Sequence, residues 1–246
     1  MHIMIFDTET TDINKCFCYN IGYVIYDTDS KKIVDQKEFI VEQIWHNLPL
    51  FSTAYYADKR QFYVKGMRTR KIRMEKFGRI CQTMIRDIKK YNVVAAYAYN
   101  SPFDEKVFNF NCDWFKCINP FDTIPIYDIR GHVHASLIDD DFKNFCEKYD
   151  LFTDSGNYST TAETVYKYIT SNSEFVESHT ALDDALIETE ILLACDNLDL
   201  LKDYPVKRSI PREVEKVLTI RTKTGDCTFT CKGYTVYRSK DLIKLK

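Results

Sequence analysis

The sequence predicts an α/β domain: a mixed central sheet whose first three strands are antiparallel, flanked by helices, with a β-hairpin extension at the C-terminal end. Three observations predict it. Apolar residues alternate over the first forty positions, helical apolar periodicities follow around short apolar runs, and two β-like runs lie near the end on either side of Gly225.

Ile3 and Ile5 alternate with Met4 and Phe6, and strand-like runs follow at 21–26 and 32–41, separated by the turn Asp27 to Ser30. A three-stranded meander is therefore expected. Between 73 and 91, Phe77, Ile80, Cys81, Met84, Ile85 and Ile88 fall at three- and four-residue steps, the mark of an amphipathic helix. The run 93–98 is short and apolar enough for a buried strand. A helix is expected after Pro102, because proline suits a first helical turn, then a short strand at 123–127. Further helices are expected near 138–149, 161–170 and 181–193. This domain is expected to span 1–198, with 45–90 as a basic, partly inserted segment. Residues 199–246 then form an extension whose runs 217–223 and 227–237 read as a hairpin.

Composition narrows the function classes. The 246 residues are 45% hydrophobic with 17 Tyr and 16 Phe, enough for a substantial core, while seven Gly and six Pro argue against collagenous, linker-like or low-complexity chains. No apolar run of about 18 residues is present, and the start runs into Asp7 without a basic or apolar leader, so neither a membrane span nor a secretory signal is expected. Nine cysteines, an odd number irregularly spread, favour reduced thiols in a cytoplasmic compartment. The pairs Cys16/Cys18, Cys112/Cys117 and Cys227/Cys231 have loosely metal-like spacings. None repeats as C-x2-C and no His pair accompanies them, so buried cysteine is the expectation over zinc.

A net charge of -2 conceals a sharp asymmetry. Residues 59–90 hold twelve Lys or Arg against two acids, 91–201 hold six against twenty, and 202–246 hold twelve against five. Such a pattern suits a protein that holds cations in one place and a polyanion beside it. Phe51, Tyr55, Tyr56, Phe62 and Tyr63 precede or interleave with the first basic run, where they could stack unpaired bases or pack the core.

Asp7 and Glu9 stand two apart near the end of the first strand, so their carboxylates share a face and repel unless a cation sits between them. Hard oxygen ligands favour Mg2+ or Mn2+ over zinc. Asp104 follows the buried strand 93–98 at the start of a helix, where ligands collect in α/β sheets and where an acid also suits the helix terminus. Ser178 to Asp184 opens another helix. Thr180 and Asp183 have capping-box spacing, which gives Asp183 a structural task and leaves Asp184 to face a site. His179 stands just before the cap, and histidine as a residue type titrates where a base at neutral pH is wanted.

Asp7, Glu9, Asp104, His179 and Asp184, in that order, resemble the DnaQ-like (DEDDh) 3′-to-5′ exonucleases of the ribonuclease H-like fold. The resemblance covers about residues 1–198. FDTETT is similar to the first motif of that family, NSPFD to the second and HTALDDA to the third, with the five-residue step from His179 to Asp184. Thr180 stands where the Tyr-containing sister branch would have its tyrosine. Asp12 and Tyr99 depart from a Gly and a His often found in these motifs, which bears on loop shape and substrate contacts. The resemblance implies two Mg2+ ions, replaceable by Mn2+: Asp7 bridging both, Glu9 and Asp184 completing one, Asp104 holding the other largely through water. It also implies His179 as base for the attacking water and single-stranded 3′ ends of nucleic acid as substrate, DNA ahead of RNA. Thr8 and Thr10 are expected to offer donors to the terminal nucleotide, and Phe103 to pack.

Two rivals belong to other classes. An aspartate-nucleophile phosphatase also carries an acidic pair after its first strand, but it wants Asp where Glu9 stands and leaves His179 without a role. A non-catalytic nucleic-acid-binding module would use residues 59–90 as a clamp.

Overall fold

The computed structural model describes residues 1–234 apart from 15, 197, 208, 223 and 224, with side chains up to 212. The chain opens as the alternation requires: β1 (His2–Thr10), β2 (Cys18–Asp27) and β3 (Lys32–Val41) form an antiparallel meander. Short helices α1 (Glu42–Trp45) and α2 (Leu48–Phe51), a 3-10 turn at Ala57–Lys59 and α3 (Arg60–Arg68) occupy the inserted region. Then come β4 (Arg73–Glu75), α4 (Phe77–Tyr91), β5 (Val93–Ala98), α5 (Ser101–Phe115) and β6 (Ile126–Asp128). Helices α6 (Ile129–Ser136), α7 (Asp140–Tyr149), α8 (Ala162–Ile169) and α9 (Ala181–Ala194) complete the layers.

The six strands are ordered β4-β3-β2-β1-β5-β6. β5 runs parallel to β1, β6 to β5 and β4 to β3, so β2 alone opposes the others. The alternation along β1 divides the interior into two cores. Met4 and Phe6 pack with Phe77, Ile80, Met84 and Phe108 on the α4/α5 face, whereas Ile3 and Ile5 pack with Val133, Phe142, Val165, Ile187 and Ile191 on the other.

Several expectations are corrected. Residues 73–75, expected within the helix, form β4 beside Phe39–Val41 of β3, a pairing too short to leave a periodic trace. The helix proper starts at Phe77, whose backbone N–H is capped from afar by Gln43 Oε1 at 3.1 Å. Helix α6 has no counterpart in the sequence reading, because Gly131 and two histidines interrupt its apolar pattern. Asp128 starts it by accepting from the Arg130 N–H at 2.9 Å. On α9, Ala181, Ala185 and Leu192 are buried together with Ile187 and Ile191, while Leu193 is exposed, since this helix is covered on more than one side. Phe51 and Tyr63 are core residues, with Trp45 and Tyr19 at their edges, so they are not stacking platforms. Arg60 lies over Trp45, 3.9 Å from the ring, and belongs to that packing.

β7 (Glu213–Thr222) and β8 (Gly225–Tyr234) pair antiparallel, in agreement with the expected hairpin, though the pairing starts at 213. Residues 235–237 of that expectation lie outside the described residues. Before the hairpin the chain runs back over the second core: Ile210 is buried there and Arg212 makes a two-pronged ion pair with Glu147 at 2.8 and 2.6 Å. No helix among the described residues is long and apolar enough to cross a membrane.

Candidate active site

β1 determines where its acids go. Asp7 and Glu9 continue the Ile3 and Ile5 row, while Thr8 continues the Met4 and Phe6 row toward α5. Opposite Asp7 in the ladder stands Gly22 of β2, and the start of α9 lies directly on it. A Cβ at Gly22 would come within 2.1 Å of Leu182 N and 2.2 Å of Ala181 C. The absent side chain therefore lets the helix that carries Asp184 descend onto the sheet. Asn20, two residues earlier, holds it there: Asn20 Oδ1 accepts from the Ala181 N–H at 2.9 Å, and its amide donates to Phe39 O at 3.0 Å and Glu38 Oε1 at 3.2 Å.

The capping box expected of Thr180 and Asp183 is replaced by this arrangement. The Thr180 side chain caps no backbone N–H. The hydroxyls of Ser178 and Thr180 both donate to Asp183 Oδ2 at 3.0 Å. Asp183 keeps a structural task, by a different bond from the one its spacing suggested, and Asp184 turns inward.

Ligand oxygens of Asp7, Glu9 and Asp184 lie within 4.8 Å of one another. Asp104, 3% exposed in the first turn of α5, is tied to this group from the other row: Thr8 Oγ1 donates to its Oδ1 at 2.6 Å. The Thr8 hydroxyl is thus occupied, which corrects the expectation that this group donates to the terminal nucleotide. Phe103 is partly buried against the core, as expected. Tyr99, in place of a histidine, donates through its hydroxyl to Thr160 O at 2.6 Å.

Carboxylates this close, with Asp104 and Asp184 buried and Asp7 and Glu9 half-buried, resist ionisation. Burial first, then Asp104 and Glu177, hold Asp7 well above its ordinary value. Burial with Asp7 and Asp184 pushes Glu9 up to about 10, burial with Asp7 and Glu177 pushes Asp184 to about 9, and burial pushes Asp104 to about 7 against the pull of the Thr8 hydroxyl.

Glu188, one turn beyond Asp184 on α9, is a buried acid that the sequence reading missed. Burial, Asp7 and Asp104 raise it far above its usual range. Its four-residue spacing from Asp184 was a visible signal, since such positions share a helix face. Asp184 Oδ1 and Glu188 Oε2 are buried without a hydrogen-bond partner among the described residues. Orphaned oxygens in an all-carboxylate set fit a hard divalent cation, which would relieve the repulsion and satisfy the lone pairs.

His179 belongs to an adjoining cluster. It takes the left-handed conformation, φ 49°, and groups with Glu163 and Glu177, its Nδ1 3.8 Å from Glu177 Oε2. The inserted segment covers it: Tyr56 stacks on the imidazole with ring centres 4.3 Å apart and planes 13° from parallel. Lys59 donates to the Ser178 carbonyl beside it. Burial and then Lys59 lower the His179 pKa, and Lys59 opposes the upward shifts of Glu9, Asp184 and Glu177. Sequence reasoning named Tyr56 only as one of several aromatics and gave Lys59 no particular place.

No family model and no curated protein matches this sequence. Solved structures do share its fold. A full-length 3′-exonuclease superposes with a TM-score of 0.52 at 15% identity, over 78% of this chain and 59% of the other. The nuclease domain of 3'hExo, a DEDDh family member bound to rAMP, gives 0.51 at 13% identity, over 85% and 97%. E. coli Exonuclease I in complex with a dA16 oligonucleotide is matched with a TM-score of 0.44 at 15% identity, over 79% of this chain. This chain spans 40% of the length of that enzyme. The likenesses above a TM-score of 0.5 give a ribonuclease H-like fold, with the mixed sheet and antiparallel first strands expected.

Proposed function

We propose that this chain is a 3′-to-5′ exonuclease of the DnaQ-like (DEDDh) type, releasing nucleoside 5′-monophosphates from single-stranded 3′ ends, DNA ahead of RNA. The observation that carries the reading is the convergence of Asp7, Glu9 and Asp184 within 4.8 Å, with Asp104 held beside them through Thr8. These are the acids the motifs singled out, on a fold shared with a 3′-exonuclease and with a DEDDh nuclease domain that binds rAMP. The nuclease unit is assigned to 1–198 and the extension to 199–246. Seven free thiols among the described residues suit a reducing cytoplasm.

Asp7, Glu9 and Asp184 would hold one Mg2+ or Mn2+, and Asp7 with Asp104 a second. Bound there, the ions would let the carboxylates ionise together and would stabilise the attacking and leaving oxygens of an in-line displacement at phosphorus. His179 supplies the base. Its Nδ1 faces Glu177, which leaves Nε2 to take a proton from water, and burial with Lys59 keeps the ring neutral and ready to accept one. Tyr56 fixes the plane of the imidazole and Lys59 fixes the loop that carries it. A groove of about 610 Å³ beside the start of α9 sets Phe62, Lys65 and Lys71, an exposed ring and two ammonium groups for a single strand, opposite the acids Glu38 and Asp183.

The test is digestion of end-labelled single- and double-stranded DNA and RNA with Mg2+, resolved as a product ladder. Stepwise shortening from the 3′ end of single strands is expected, with no shortening by Asp7→Ala. An Asp7→Ala protein that cuts at the parental rate removes the site. Tight oligonucleotide binding without cleavage under Mg2+ or Mn2+ makes the chain a binding module instead.

A further inference from the structure

Away from the carboxylates, three cysteines from separate parts of the chain meet. Cys81 lies midway along α4, Cys112 in the last turn of α5, and Cys117 just beyond that helix. Lys116 takes the left-handed conformation, φ 52°, and turns the chain back, so that the Cys117 N–H donates to Cys112 O at 3.0 Å. The three Sγ atoms lie within 4.8 Å of one another, with Cys117 Sγ 4.0 Å from Cys81 Sγ.

That spacing is about twice a disulfide bond of roughly 2 Å. It corresponds instead to thiolates around one cation: zinc–sulfur bonds of about 2.3 Å put sulfurs roughly 3.8 Å apart in a tetrahedron. In the same tetrahedral geometry, sulfurs 4.0 to 4.8 Å apart lie ~2.4–2.9 Å from the cation, near zinc at the lower end and in the range of larger soft ions above it. Cys81 and Cys112 are buried and Cys117 is half-buried, so the triangle is shielded on one side and reachable on the other. Gly78, one turn before Cys81, contributes no side chain to the space beside Cys117.

We propose that Cys81, Cys112 and Cys117 form a thiolate site for one soft divalent cation of the zinc class, its fourth position taken by water. Each thiol gives its proton to solvent as its sulfur–metal bond forms, and nothing is oxidised or reduced. No carboxylate or imidazole among the described residues joins the cluster. The site is therefore chemically distinct from the hard-oxygen group at Asp7 and independent of the nuclease reading. A cation there would pin the end of α5 to α4, stiffening the helix that presents Asp104 from its opposite end.

The test titrates the full chain, reduced and metal-free, with Cd2+ while recording thiolate-to-cadmium charge transfer, a band that carboxylate-bound cadmium does not give. Saturation at one equivalent is expected. Cys117→Ser, at the half-buried corner, should remove roughly a third of the band and weaken binding by more than the 10- to 100-fold that loss of a supporting partner costs a metal site. Cys146→Ser, in the other core, should change neither. In the parent, bound cadmium should protect Cys112 and Cys117 from alkylation, mapped by peptide mass, a readout that requires no variant to fold. No band, a band that survives Cys117→Ser in full, or protection that maps to other cysteines overturns the proposal.

Discussion

Asp184→Asn is expected to stabilise the metal-free protein while abolishing its activity. Burial, Asp7 and Glu177 hold Asp184 at about 9 against an ordinary 3.8. Between those values the folded chain keeps a proton that the unfolded chain has released, so stability falls as pH rises through this window. By pH 7 about three of those units have been crossed, and at about 1.36 kcal/mol per unit the cost is ~4 kcal/mol. Part of the shift is repulsion from Asp7, itself held well above its usual range, and close carboxylates share their protons, which leaves on the order of 2 kcal/mol to recover. For a chain of this size that is a rise of about 4–8 °C in Tm. The amide also gains acceptors, because Asp7 and Glu9 oxygens stand within 4.8 Å. Thermal unfolding in EDTA from pH 5 to 8 measures this: the parent should lose stability with rising pH and the variant should lose less. Added Mg2+ should raise the Tm of the parent more than that of the variant, which keeps only the Asp7 and Asp104 carboxylates of the second ion intact, since only a species that binds the native state stabilises it. A variant less stable than the parent at pH 7 in EDTA, or one with the same pH slope, refutes the reasoning.

Other outcomes follow from the same geometry. His179→Ala should slow hydrolysis by about 10²- to 10⁴-fold with divalent-ion binding, measured by calorimetry, unchanged. Because burial and Lys59 hold His179 below its usual 6.5, the parental rate should fall only at pH values under that, and this limb should be absent in the variant. Thr8→Val removes the 2.6 Å donor to Asp104 and should push that carboxyl above its present value of about 7. More Mg2+ should then be needed for half-maximal rate at neutral pH, the shortfall narrowing as pH rises. Gly22→Ala drives a methyl into the backbone of Ala181 and Leu182, and should lower stability by about 1–3 kcal/mol or more in a thermal melt, with activity lost alongside.

The amino-acid sequence by itself determined the class of fold and pointed to four acids of the candidate site, Asp7, Glu9, Asp104 and Asp184, though not to Glu188. Alternation in β1 and β2 and the periodicity of α4 and α9 are local, so each could be read within a dozen residues. Asp7 and Glu9 were legible for the same reason, because a two-residue step along a strand fixes a shared face. Tertiary structure alone decided the rest. β4 is three residues long and exists through its pairing with β3, which no local pattern records. Asn20, not the threonine at the expected spacing, caps α9 across 161 positions of chain. Tyr56 and Lys59 reach His179 from an inserted segment, and three cysteines spread over positions 81 to 117 converge on one point. Contacts between residues far apart in the chain depend on how the layers close over one another. Hydrogen bonds and packing across those layers leave no periodicity in the sequence, and only the folded coordinates show which pairs they join.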